Sequence, residues 1–380
     1  MGQAKRLVLV GGGHAHALVL DALRKRPEAG VSVTLVSPAR ASPYSGMLPG
    51  HIAGLYTREA MHIDVARLTA QTGGRFVGEA AVRIDPDARV VTTDAGTAVP
   101  YDILSLDIGI TPDLSGIEGA QAHAIAVKPI GDLLEKTDRL VAAARAPGGP
   151  RDVVVVGGGA AGLCLAFALA RRLRQEARGD EAGGAGGDFR FTLVTAHALL
   201  PDLNGRARRL ARARLAETRI GLVENDRVAA VAPDAVTLAS GRAIAADATL
   251  VAVGAGAPGL IAASGLPVDA HGFLAVRPTL QAVGRDEIFG AGDCATSVTD
   301  PRPKAGVFAV RQGPALVENL RRFARAEPLA PFQPQTDWLV LMSTADGRAI
   351  AARGARLAIE GRAAWWLKDR IDRRFVEGLG

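Results

Sequence analysis

The chain has very little sulfur chemistry to offer. Among its 380 residues Cys164 and Cys294 are the sole cysteines, and they form neither a CxxC nor a CxxxxC pair. That excludes a disulfide framework and fits a reducing compartment. It also disfavours dithiol exchange, and sulfide chemistry through a shared polysulfide, because both need a second thiol beside the first. No stretch of 18 or more apolar residues is present, so no membrane-spanning helix is expected. Zinc-finger spacing and the aromatic signatures of RNA-binding domains are missing too, and no metal site is expected. The net charge of +6 and the pI near 9.7 would attract acidic surfaces in general. The charges are scattered, however, apart from Arg206–Arg214 and the C-terminal tail, so a solvated surface is expected and nucleic acid is not. Met1-Gly2-Gln3-Ala4-Lys5-Arg6 leads straight into an apolar strand and lacks the form of a cleaved signal. The expected location is cytoplasmic, with a peripheral contact on the cytoplasmic membrane face left open.

What the chain does have is glycine, 45 residues of it, and two glycine clusters stand out. Leu7-Val8-Leu9-Val10 runs into Gly11-Gly12-Gly13-His14-Ala15-His16, and Val153-Val154-Val155-Val156 runs into Gly157-Gly158-Gly159-Ala160-Ala161-Gly162. Each cluster follows an apolar strand and opens an Ala/Leu-rich helix. That context lets backbone N–H groups and a helix N-terminus face a pyrophosphate. Two such units imply two dinucleotides, one passing electrons to the other. The first turn carries His16 where a third glycine would allow close helix–sheet packing, so the ring is expected to hold those elements apart or to turn toward the cofactor cleft. Neither second strand ends in the carboxylate that would read a ribose: Ser37 and Arg40 follow the first, and Val194-Thr195-Ala196-His197 ends the second.

The rest of the chain repeats this layout. Strands are expected at about 6–10 and 31–36 around a helix at 14–26, then short strands over 75–108. The second unit runs over 151–195, with Gly179–Gly187 read as a mobile low-complexity loop, followed by a basic helix at 206–217 and short strands over 222–253. Ile103–Gly109 and Thr249–Gly254 mirror each other as buried strands ending in glycine. Pro43–Gly50 is too rich in Gly and Pro for a regular element and reads as a shaped loop. Glu287–Ala295 is a strand followed by a small-residue turn carrying Asp293, whereas Asp107 is expected only to satisfy local backbone groups. Strands are expected near 338–342, 349–351 and 357–359. In the tail, Leu367, Ile371, Phe375 and Leu379 recur every four residues as a helical apolar stripe, suited to packing, to a homodimer or to a membrane surface.

The glycine turns, Tyr44-Ser45-Gly46-Met47-Leu48-Pro49-Gly50, Gly292-Asp293-Cys294 and Arg302–Gly313 resemble the two-dinucleotide flavoproteins called pyridine nucleotide-disulfide oxidoreductases. The likeness is to the branch around type II NADH dehydrogenases, especially its relatives fused to selenide, water dikinase. It implies an α/β fold with two Rossmann-like dinucleotide-binding domains in a glutathione-reductase-like arrangement: residues 1–112 with 270–330 for FAD, 113–269 for NADH or NADPH, and a small C-terminal cap at 331–380. It further implies cofactor contacts at Gly11, Gly13, His14, Ala15, His16, Ser37, Arg40, Tyr44, Pro49, Gly109, Gly292, Asp293, Lys304 and Ala305, and at Gly157, Gly159, Gly162 and Gly254. Lys304 would support the reduced flavin as a catalytic cation. Cys164 stands where the family often carries Glu, so the nicotinamide contact of that Glu is not carried over. The missing ribose carboxylate removes a reason to reject the phosphate of NADPH, which the Arg206 stretch could help accept. The implied activity is hydride transfer to flavin and onward transfer to a quinone or another small acceptor. The alternatives are an oxidoreductase of selenium or sulfur metabolism and a non-catalytic flavin-bound sensor or assembly protein.

Overall fold

Valine and leucine runs without polar interruption fit strands covered on both faces, and two parallel-centred sheets are built from them. A computed structural model describes residues 4–176 and 189–380; the expected loop at Gly179–Gly187 lies outside the described residues. The strands and helices around the two glycine turns fall where the sequence reading put them, while the helices Ile130–Ala144 and Gly306–Ala324 were not read from it. The first sheet takes β1 (Lys5–Val10), β2 (Val31–Val36), β3 (Arg75–Val77) and β4 (Ile103–Leu106). The second takes β5 (Ala124–Ala126), β6 (Asp152–Val156), β7 (Arg190–Val194), β8 (Ile220–Val223) and β9 (Ala248–Val251). The chain then returns to the first sheet with β10 (Leu274–Val276), β11 (Gln281–Ala282), β12 (Arg285–Gly290) and β13 (Ala295–Ser297). Strand order is β13-β10-β11-β12-β4-β1-β2-β3 in one sheet and β5-β9-β6-β7-β8 in the other.

The two halves match in register. β1 pairs in parallel with β2 and β4, placing Val10 beside Val36 and Leu106, while β6 pairs in parallel with β7 and β9, placing Val156 beside Val194 and Val251. Along β1, Leu7 and Leu9 join one core while Val8 and Val10 join another. Along β6, Val153 and Val155 enter the first of those cores and Val154 and Val156 a third. This two-residue alternation is the pleat, and it explains why each residue of both runs had to be apolar. Helices α1 (His14–Lys25), α2 (Ile130–Ala144), α3 (Ala160–Glu176), α4 (Gly205–Glu217) and α5 (Gly306–Ala324) surround the sheets, with α1 packed on α5.

The last fifty residues form β14 (Leu339–Ser343), β15 (Ala349–Arg353) and β16 (Leu357–Gly361), an antiparallel sheet, and α6 (Arg362–Glu377). The tail is helical as expected, and its apolar stripe is divided: Phe375 and Leu379 pack on the core, whereas Leu367 and Ile371 do not. Leu367 is 37% exposed and Ile371 43%, while Ala364, Lys368, Asp372 and Val376 face inward. The reason is a buried ion pair: Lys368 Nζ binds Asp372 and donates to Gly46 O at 2.6 Å. A count of apolar residues passes over such a face. Among the described residues no helix is long and apolar enough to cross a membrane.

Candidate functional site: two glycine turns under a helical cap

Both turns are built by the same backbone contacts. Gly11 N donates to Val36 O at 2.9 Å, and Gly157 N donates to Val194 O at 2.8 Å. Gly11 has φ +93° and Gly157 φ +124°, and an added Cβ would strike the carbonyl of Asp107 or of Ala252. Only glycine turns the chain there without strain. Asp107 and Ala252 are therefore equivalent positions, one residue past β4 and β9: their N–H groups donate to Val10 O and Val156 O at 3.0 and 2.8 Å.

The side chains differ sharply between the halves. In the second, Gly162 packs directly on Gly157, and Ala252 lies beside both. In the first, His16 stands at the place of Gly162. Its Nδ1 lies 2.7 Å from Gly11 O and its Nε2 2.9 Å from Ser105 Oγ. A carbonyl only accepts, so Nδ1 carries the proton and Nε2 accepts from the Ser105 hydroxyl. Burial pushes the His16 pKa down to about 4, which keeps the ring neutral. Its nitrogens are consumed inside the protein, so of the two expected placements the ring takes the one between helix and sheet, as an internal bridge, and does not turn toward the cleft. Asp107 also departs from expectation. It is 3% exposed and accepts from Ala15 N at 2.8 Å and His16 N at 3.2 Å, donors about ninety residues away at the start of α1. Desolvation pushes its pKa up to about 7, against the two backbone bonds, and the Asp293 carboxylate adds to the rise.

Around this centre the remaining residues take distinct places. Gly292 N donates to Gln312 Oε1 at 2.7 Å, and an added Cβ at Gly13 or Gly292 would fall on the Asp107 carboxylate. Burial holds Asp293 above the usual carboxylate range, opposed by Lys128 and Lys304. His14 is neutral, pushed down to about 4 by burial and then by Lys128, and its Nε2 is buried without a partner. Its ring meets Tyr44 edge-on at 5.2 Å and Phe375 at 6.1 Å, and Tyr44 lies 4.8 Å from Phe375. Pro49 is the second residue of the short helix Leu48–Ile52, so Pro43–Gly50 is not the wholly irregular loop expected, because proline is tolerated in a helix's first turn; Ala305 is the N-cap residue of α5. Ser37 donates to Ala39 O, Arg40 lies over the Phe76 ring, and Gly109 has open space around it. Lys304 Nζ donates to Ala295 O and Thr296 Oγ1, both at 2.7 Å, and sits 3.9 Å from the Phe273 ring centroid. In the second half Gly159 is open, Gly254 has φ +55°, and Gly158 packs on Thr195. Of the basic stretch, Arg212 pairs with Glu224, and Arg214 with Glu217 and Asp346. Gln312 lies in the Arg302–Gly313 stretch that the sequence had marked, whereas Lys128 was missed as a site residue. It reaches the turn only through the fold, from a segment with no glycine motif to flag it.

Fold and turns together define an α/β protein with two dinucleotide-binding units. Residues 5–313 match the pyridine nucleotide-disulphide oxidoreductase family, and the chain belongs to it. A sulfide-quinone reductase of Aquifex aeolicus is 26% identical over 347 residues, covering 86% of this chain and 78% of that protein. An NADH dehydrogenase-like protein of Mycobacterium tuberculosis is 28% identical over 303 residues, 78% of this chain and 74% of that protein. The structure of NDH2 from Plasmodium falciparum with NADH superposes with a TM-score of 0.83 at 14% identity, over 98% of this chain and 96% of that one. The family is one of flavin- and nicotinamide-linked oxidoreductases that deliver electrons to a small acceptor. The residues here fit a flavin dinucleotide: bare glycine backbone at the start of α1, an orphaned buried His14 nitrogen, and two lysines facing Asp293.

Proposed function

We propose that the first turn holds FAD, that the second receives NADH or NADPH, and that electrons pass from there to a quinone or a similar small acceptor. The observation that carries this reading is the duplicated turn, in which two glycine crevices in matching register belong to one chain. Gly11, Gly13, His14, Ala15, Gly292, Asp293 and the missed Lys128 would hold the FAD diphosphate and ribityl. Ser37 and Arg40 would meet the ribose end, and Tyr44, Pro49, Gly109, Lys304 and Ala305 the ring side. Gly157, Gly159, Gly162 and Gly254 would meet the nicotinamide nucleotide. Bound FAD supplies the hydride and electron chemistry.

The chain contributes orientation, water exclusion and charge. Lys304 is anchored by two hydrogen bonds and a ring, so it would act on a reduced flavin through its field. A quinone suits the aromatic wall of His14 and Tyr44 together with Phe375 of α6. It also suits the outward apolar residues of that helix, which would touch a membrane surface; a homodimer is the other use of that face. Sulfide is a poor substrate here, because burial pushes Cys164 up to about 11 and Cys294 up to about 12, leaving almost no thiolate. Anaerobic stopped-flow absorbance tests the reading: the flavin band should bleach with NADH or NADPH and recover with quinone. Recovery only with selenium or sulfur species would favour the branch related to the selenide, water dikinase fusions. A flavin band that bleaches with neither nucleotide would favour a sensor or assembly protein.

A further inference from the structure

The two halves of the chain provide a built-in comparison at the turn itself. The second turn forms with Ala252, Gly162 and Leu250 at the positions that Asp107, His16 and Ser105 occupy in the first. An acid is therefore not needed to build the turn. In the first half a carboxylate nonetheless takes the Ala15 and His16 N–H groups, donors of the helix end that favours an anionic ligand. Gly13 and Gly292 close directly on it. An ionised Asp107 and a diphosphate would then be like charges in one dry pocket, an arrangement that raises the acid's proton affinity. Protonation removes the conflict without loosening the turn, because the carbonyl oxygen of a neutral carboxyl still accepts from both N–H groups.

We propose that Asp107 is the positioning residue that couples FAD binding to a proton, ionised in part without the cofactor and neutral with it. This rests on the reading that the first turn holds FAD. The balance is up to one proton taken from solvent onto Asp107 per FAD bound, reaching one where the free acid is fully ionised, with no electron moved. The groups that face the acid are few. Asp293 and Cys294 approach from the turn after β12, neutral His16 with the two N–H donors from α1, and Lys128 from the segment before α2. Asp293 raises the acid's proton affinity and Lys128 lowers it. With the free acid titrating near neutrality, the window for proton uptake lies above about pH 7.

The test uses the full-length, FAD-loaded protein. FAD released on dilution is read by its fluorescence across neutral to alkaline pH, and the infrared carbonyl band of a neutral carboxylic acid is recorded in the same samples. In the wild type the Kd for FAD should rise about tenfold per pH unit above about pH 7, and the neutral-acid band should persist in the loaded protein there. Asp107→Asn keeps an acceptor for the two N–H groups, so it should bind FAD with a flat pH profile and lack that band. A flat wild-type profile without the band, or an undiminished slope in Asp107→Asn, would overturn the inference. If Asp107→Asn does not fold, the wild-type slope and band decide by themselves. A protein that neither retains nor rebinds FAD at any pH would instead remove the flavin reading beneath it.

Discussion

The buried His16, the half-buried His14 and the buried Asp107 lie together at the first glycine turn, and the histidines and the acid pull stability in opposite directions with pH. His14 and His16 sit near a pKa of 4 against an ordinary 6.5. The unfolded chain therefore binds more protons between those values, and the histidine contribution is present above pH 6.5 and lost as pH falls toward 4. Asp107, held near 7 against an ordinary 3.8, has the reverse sign: its contribution is present below pH 3.8 and lost as pH rises through 7. Melting temperatures followed from pH 6.5 down to 4 should fall less steeply in His16→Gln than in the wild type, and more steeply in Asp107→Asn. Equal slopes in all three proteins would show that these groups do not titrate as their surroundings demand. His16→Ala at any one pH should cost about 1–3 kcal/mol in urea unfolding, because Gly11 O and Ser105 Oγ lose their partner in a dry place.

The strands that lead into the two glycine turns were readable in the sequence because burial on both faces leaves no choice of residue type, whereas the helices Ile130–Ala144 and Gly306–Ala324, with one exposed face each, were not read. Leu9, fully buried between sheet and helix, illustrates the strength of that constraint: Leu9→Ala should destabilise the protein by about 2–5 kcal/mol in denaturant. The cap was readable as elements but not as contacts. Periodicity marked Leu367 and Ile371, whereas the structure turns Lys368 and Asp372 inward, each 5% exposed, because opposite charges four residues apart satisfy one another on a helix. The contacts of Asp107 are hidden from the sequence for a related reason, since a strand-end acid has only local partners until the fold brings α1 onto it. The buried pair makes its own prediction. Lys368→Met should cost about 3–5 kcal/mol by stranding Asp372, while the double variant Lys368→Met/Asp372→Leu should recover most of that loss. Additive losses in the double-mutant cycle would mean that the two charges are not coupled.

At the scale of the whole molecule, α6 presents two different faces. Its inner face binds the Pro43–Gly50 loop and the aromatic wall, and its outer face shows Trp366, 62% exposed, with Leu367, Ile371 and Arg370. If the outer face meets a lipid surface, Trp366→Glu/Ile371→Glu should reduce co-sedimentation with anionic vesicles at least several-fold while leaving reduction of a water-soluble quinone unchanged. Loss of both would place the defect inside the protein, and loss of neither would remove the membrane role. The inner face reaches further than docking. Lys368 grips Gly46 O, Tyr56 donates to Asp369 at 2.6 Å, and Phe375 lies against Tyr44. On the proposed reading, with the flavin ring on the Tyr44 side, release of the ring would require this latch to lift. The dwell time of the flavin would then be set by a helix more than three hundred residues along the chain from the glycines that grasp its phosphates, and Asp369→Ala should shorten that dwell time while leaving the glycine turn untouched.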